Sequence, residues 1–268
     1  MDLSASELIV HLYLNVDVFM AVFVRIMGFF IILPVLSGQS IPLQARLILS
    51  LGVAILAFVG DFVVLPPYDP TIFGFGVLIF QEFMVGLIIG LVVMMVFSMF
   101  HFVGQLIDFQ MGFGMVTVFD PFGMQQTPIT GNFYFLIISL FFVSTGALQY
   151  VLGIFYQSFE LIGLGQGQVL GNRIIAVEIV EIIVQYFHLG LRIALPVVGT
   201  IIIVDIVLGI LVKAVPQMNV FVVGLPIKVA LGLIIIFLTM PFLSDAFALI
   251  MDDVVRGIAN IIRGMMPE

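Results

Sequence analysis

Glu178, Glu181, Gln185, His188 and Arg192 follow one another at steps of 3, 4, 3 and 4 residues inside a run of Ile, Val, Phe and Leu. On a helix that spacing puts all five on one stripe. Asn172 is placed to cap the start of such a helix. The acids lie toward its N-terminus and Arg192 toward its C-terminus, which complements the helix dipole. Two uses fit the stripe: a face in water, or a seam that packs on a partner's polar groups or lines a passage. Neither a metal site nor a proton relay is indicated, because His188 has no second histidine near it in the sequence.

A second set of charges interrupts the apolar runs. Arg25 and Arg46 come early, and Glu82 and Asp108 follow in and after the next long run. An ionisable side chain at mid-bilayer costs about 2.5–3.5 kcal/mol on insertion scales, so it takes a partner, lines water, or snorkels to an interface. Two bases followed by two acids suggest buried pairs, such as Arg25 with Glu82; snorkelling is the alternative. Arg192, Asp205, Lys213 and Lys228 extend the set as buried charges or subunit contacts. From Lys213 to Asn219 a polar hairpin separates two apolar runs, with Pro216, Gln217 and Asn219 at its tip. A simple turn also accounts for it.

The most unusual stretch is 104–121. It interleaves Gly104, Gly112 and Gly114 with Phe109, Met111, Phe113, Met115 and Phe119. Glycine permits backbone conformations closed to other residues, and Phe and Met supply large, adaptable side chains. Such a chain can block a hole and then yield; a packed loop is the other reading. At membrane depth it is tolerated only where protein buries it or it lines a cavity. Gly86 and Gly90 form a GxxxG, which permits close helix approach. The glycines from Gly163 to Gly171 lack the spacing and the Lys of a phosphate loop and read as a connector. No catalytic constellation, zinc motif or cofactor motif is apparent, and Asp252-Asp253 reads as a solvated helix end.

The elements that carry these residues must be long apolar helices. Of 268 residues 63% are hydrophobic and only 9% charged, and mean hydropathy is +1.34. A soluble fold cannot hide that much apolar surface. The runs argue against strands, since they are too long and do not alternate. Six stretches approach the roughly 20 residues that cross a bilayer: about 18–36, 43–65, 72–100, 133–156, 174–212 and 220–250. Prolines 34, 42, 66, 67, 70, 121, 128 and 216 punctuate the gaps, whereas Pro196, Pro226 and Pro241 fall inside stretches and predict kinks. Net charge is −8, which argues against nucleic acid, and with no cysteine there is no disulfide or thiolate chemistry. The acidic N-terminus lacks the positive region of a signal peptide.

Three features fit simple bilayer crossing badly. The third and fifth stretches exceed one span but are too short for two. Lysines and arginines show no sidedness. Trp is absent, so the interfacial belt is thin. Together they suggest helices covered in part by other protein.

Several stretches in order resemble one family. They are Arg25 through Pro34, Ile41-Pro42 through Arg46, Gln81-Glu82 with Gly86 and Gly90, Gly104, Gln110-Met111-Gly112, Asp120-Pro121, Leu195-Pro196, Asp205, Pro216 through Phe221, and Gly224 with Pro226. The chain resembles the FliR family, the R component of the flagellar type III export gate, over nearly its whole length. The resemblance implies a single all-α export-gate subunit (residues 1–268), polytopic, with a P-like part over 1–170 and a Q-like helical hairpin over 171–268. It implies a structural channel subunit without catalysis or cofactor, assembled with P and Q components at the entrance of the secretion pore. Partners would include other export-apparatus membrane proteins, the basal-body ring, lipid and unfolded flagellar substrates, with no nucleic acid. The place would be the inner membrane at the flagellar basal body, with much of the assembly held above the bilayer plane. The family's plug falls by position on Gln110, Met111, Gly112, Phe113, Gly114, Met115 and Phe119. A secondary transporter for a small solute is the rival reading, although no inverted pair of charged half-helices is present.

Overall fold

A computed structural model describes residues 15–37, 41–59, 71–113, 128–169, 171–217 and 219–266. Among them are eight helices and no strand. Helix α1 (Val16–Ile32) ends at Leu33, whose ψ of 117° is extended. Pro34 imposes this, because the residue before a proline is pushed out of the helical region. One short turn follows as α2 (Pro34–Ser37), and then α3 (Leu43–Val59). Helix α3 packs on α1, with Phe58 edge-on to Phe19.

The remaining helices are α4 (Ile72–Met111), α5 (Ile129–Ser144), α6 (Ala147–Leu161), α7 (Arg173–Ala214) and α8 (Val220–Met265). Helices α4, α7 and α8 are long and apolar enough to cross a membrane; α5 and α6 reach that length only together, across a sharp bend. Each of the six expected stretches carries helix among its described residues, and 60–65 of the second lie outside them. Helices α1 and α3 have 17 described residues each, at the lower end of what a span needs. The fourth stretch is not one helix: Gly146, at φ +77°, breaks it. Helix α8 runs on to Met265, so Asp252 and Asp253 lie within it rather than at its end. Pro196, Pro226 and Pro241 sit inside continuous helices.

A larger correction concerns 104–121. Its first half is not an irregular connector: Gly104 through Met111 completes α4. A Cβ on Gly104 would lie 2.1 Å from the Cα of Gly131. The glycine is there because α4 and α5 cross in contact, not because the chain turns.

The chain packs as two compact units. One comprises Met1–Met95, Gly146–Ile182 and Asp252–Glu268, the other Val96–Thr145 and Ile183–Met251. In the first, Ala21, Val22 and Phe29 of α1, Val85 and Ile89 of α4, Phe155 of α6 and Ile258 of α8 are closed to solvent, and Phe29 stacks on Phe155. The GxxxG lies at its closest crossing, where a Cβ on Gly86 would stand 1.9 Å from the carbonyl oxygen of Arg25. In the second, Phe97 and Phe100 of α4, Ile138 and Phe142 of α5, Val197 and Ile201 of α7 and Phe247 of α8 are buried.

Candidate functional site

Arg25 and Glu82 meet in the first unit, and neither side chain is exposed. Arg25 Nε donates to Glu82 Oε2 at 2.5 Å and Nη2 to Oε1 at 3.1 Å. Nη1 donates to the carbonyls of Ser158 and Ile162, both at 3.1 Å. These carbonyls end α6, where the helix dipole favours a cation. The Gly165 N–H donates to Glu82 Oε1 at 2.7 Å, and the guanidinium stands 4.6 Å from the centre of the Phe159 ring. Such a bidentate pair with its other groups satisfied can be buried without a large penalty. It offers nothing to a substrate and acts as a lock between α1, α4 and α6.

Asp108 is also buried, but its partner is not a base. Its carboxylate accepts from the Thr130 N–H at 3.0 and 3.1 Å, and from the Thr130 hydroxyl. Thr130 lies in the first turn of α5, so Asp108 caps that helix from outside it. Arg46, which the sequence groups with Asp108, is half-buried and donates to the Ile41 carbonyl at 3.1 Å, near the start of its own helix.

The end of α4 is built by its glycine. Gly112 takes φ +89°, its N–H bonds to the Phe109 carbonyl at 3.2 Å, and the Phe113 N–H bonds to the Asp108 carbonyl at 3.0 Å. This pairing is the Schellman stop, which needs a left-handed residue at its centre. Of the plug positions, Gln110 and Met111 are therefore the last turn of α4, and Gly112 and Phe113 its cap. Gly114, Met115 and Phe119 lie outside the described residues.

That cap abuts the α7–α8 hairpin within the second unit. Gln110 Nε2 donates to Asp205 Oδ2 at 3.2 Å, and Asp205 forms an ion pair with Lys228. Met111 is fully buried and lies over Gly232, where a Cβ would be 2.0 Å from its methyl carbon. A cavity of about 260 Å³ remains among Met111, Gly112, Asp205, Gly209, Leu225 and Lys228. At the hairpin Lys213, Pro216 and Gln217 are exposed, and the Asn219 side chain accepts from the Phe221 N–H at 3.1 Å to cap α8.

The polar stripe faces outward. Glu181, Gln185, His188 and Arg192 are exposed and Glu178 half-buried, whereas Ile182, Tyr186, Gly190 and Ala194 face inward. Val180, Ile183, Val184 and Phe187 beside the stripe are about half exposed, so it is a polar seam in an apolar surface. Asn172 caps α7, accepting from the Ile174 N–H at 2.9 Å, and its amide donates to the Gly264 carbonyl at 2.7 Å. Among the described residues no three metal-binding side chains of the His, Asp or Glu type come together.

Sequence reading missed Thr130, Gly131, Gly146 and Gly232. Pro128 followed by Thr130 is a helix-start signal that could have located the α5 cap. Nothing local marks Gly232 as a seat for Met111.

Residues 16–254 match the family described as bacterial export proteins, family 1. The chain is 34% identical over 223 residues to the flagellar biosynthetic protein FliR of Bacillus subtilis (strain 168), covering 83% of this chain and 85% of that one. It is 31% identical to FliR of Aquifex aeolicus (strain VF5), covering 82% and 84%. It is also 29% identical to the surface presentation of antigens protein SpaR of Shigella flexneri, covering 60% and 61%.

Proposed function

Because the chain belongs to the bacterial export proteins, family 1, we propose that it is a non-catalytic channel subunit of the flagellar type III export gate. It is a component of an export apparatus with membrane-type helices. In the finer reading it assembles with P and Q components at the pore entrance, near other export-apparatus proteins and the basal-body ring, in the inner membrane. Unfolded flagellar proteins pass through the assembly. Residues 1–170 correspond to the P-like part and 171–268 to the Q-like hairpin, a division by resemblance that is distinct from the two packing units.

The observation that carries this reading is the bareness of the hairpin. Only 17% of the most apolar window of α7, and of α8, is buried by the chain itself. The seam of Glu178, Glu181, Gln185 and His188 adds polar groups that lipid tails do not satisfy. Neighbouring P and Q subunits supply both kinds of partner. In this reading the 110–119 segment is the plug, held at its start by the α4 cap against the hairpin.

The test is purification with and without partners. Co-expressed P and Q components should come down with this chain in a defined complex and raise its yield. A stable monomer or homo-oligomer that ignores them would overturn the proposal. Deleting 112–115 should raise small-ion leakage through the assembled complex, and unchanged conductance would remove the plug from it.

A further inference from the structure

Helix α4 is held in two ways over its last two turns. At Gly104 backbone meets backbone, since a Cβ there would stand 2.1 Å from the Gly131 Cα. At Asp108 the carboxylate grips the start of α5. Beyond Asp108 the means change, and residues 110–112 meet the α7–α8 hairpin through side chains.

Asp205 of α7 is the centre of that seat. It accepts from Gln110 at 3.2 Å and pairs with Lys228 of α8, so one carboxylate joins α4, α7 and α8. Water reaches both members of the pair, which keep 38% and 22% of their side-chain surface, and can replace each as the turn leaves. Met111 is fully buried, but it lies in a notch that Gly232 of α8 leaves for it, with the methyl carbon 2.0 Å from where a Cβ would be. An unbranched thioether slides out of such a notch where a branched side chain would bind. Beside it is the cavity of about 260 Å³, walled by Met111 and Gly112 on one side and by Gly209, Gly224 and Leu225 on the other. Packed interiors leave few voids larger than a water molecule. This one gives the Met111 side chain room to turn.

We propose that the last turn of α4 is a clasp that parts from the hairpin when the channel opens, and that Asp205 is the positioning residue that sets how readily it parts. The inference rests on the channel-subunit reading. Loss of the Asp205 carboxylate frees Gln110 and takes the counter-ion from Lys228, while the anchors at Gly104 and Asp108 stay in place.

The chain has no cysteine, so an introduced thiol reports on one position. In Met111→Cys the thiol is covered while the clasp is shut, and N-ethylmaleimide reaches it as the clasp parts. In the complex with P and Q components, labelling of this chain is followed by mass. Asp205→Asn should speed it about fivefold, the share of a partly exposed pair. Exchanging the charges, Asp205→Lys with Lys228→Asp, should restore slow labelling, because the Gln110 amide offers an acceptor as well as donors. Asp245→Asn, an exposed carboxylate further along α8, should change nothing. A second arm holds the clasp shut. A Cβ on Gly232 would be 3.1 Å from Met111 Cγ, within reach of a disulfide. Cells carrying Met111→Cys with Gly232→Cys should export flagellar proteins when reduced, stop when oxidised, and resume with dithiothreitol. Labelling that Asp205→Asn leaves unchanged overturns the proposal, as does undiminished export by the cross-linked complex. If the double-cysteine chain does not assemble or export when reduced, the labelling decides alone. A chain that forms no complex with P and Q components overturns the channel reading itself, and this inference with it.

Discussion

Among the described residues an ion pair joins helices in each packing unit, and the two pairs are built differently. In the first unit Arg25 and Glu82 are wholly buried and every remaining polar contact is made by backbone groups of α6 and the turn after it. In the second, Lys228 and Asp205 keep 22% and 38% of their side-chain surface exposed, and Gln110 donates to Asp205 as its further partner among the described residues. The long helices differ in burial as well. The most apolar window of α4 is 61% buried, those of α7 and α8 only 17% each. A buried pair is expensive to break and fixes which helices cross where. A half-exposed pair adds little to a chain's own stability. The buried pair is completed within the chain; the half-exposed pair keeps charge in reserve.

The largest test of that contrast is to break the buried pair. Arg25→Ala or Glu82→Ala strands a buried charge and should cost about 3–5 kcal/mol, read as a loss of folded protein in detergent. The double change Arg25→Met with Glu82→Leu should recover most of it. If either single change cost no more than removing Asp205, the two pairs would not differ as described. Next comes the crossing beneath the pair. Gly86→Leu should destabilise by about 1–3 kcal/mol or more through overpacking. Gly153→Leu, where a Cβ meets nothing within 4 Å, should be close to neutral, both followed by thermal melting. Asp108→Ala should cost about 1–2 kcal/mol as a lost cap, with faster hydrogen exchange confined to the first turn of α5. Smallest for the isolated chain is Asp205→Asn, at about 1 kcal/mol or less and shrinking with salt. A melt that shifted as far as that of Arg25→Ala would erase the contrast.

The sequence made the buried pair legible because burial and charge conflict there: a base and an acid in successive apolar runs need each other. The α7 cap was legible for a local reason, since Asn172 and the helix it starts are adjacent. Asp108 was harder, because its partner Thr130 lies beyond an intervening stretch and is not a base. Charge matching could not find a carboxylate satisfied by a helix N-terminus. Gly104 misled in the opposite direction. Read alone, a glycine near other glycines signals a bend; opposite Gly131 it is what lets two helices touch. Gly146 broke a run whose hydropathy is unbroken, since hydropathy records burial and not backbone shape. The plug positions beyond Phe113 remain assigned by resemblance.

Asp108 also holds both ends of one excursion. Its carbonyl takes the N–H of Phe113 where the chain leaves α4, and its carboxylate takes Thr130 where the chain enters α5. One residue thus serves as hinge post and latch. Closing a loop grows costlier only by about 0.6 kcal/mol for each doubling of its length. With both ends held at a single residue, α4 and α5 stay in register whatever the length of the sequence between them. Insertions between Phe119 and Pro128 should cost the fold far less than changes at either anchor.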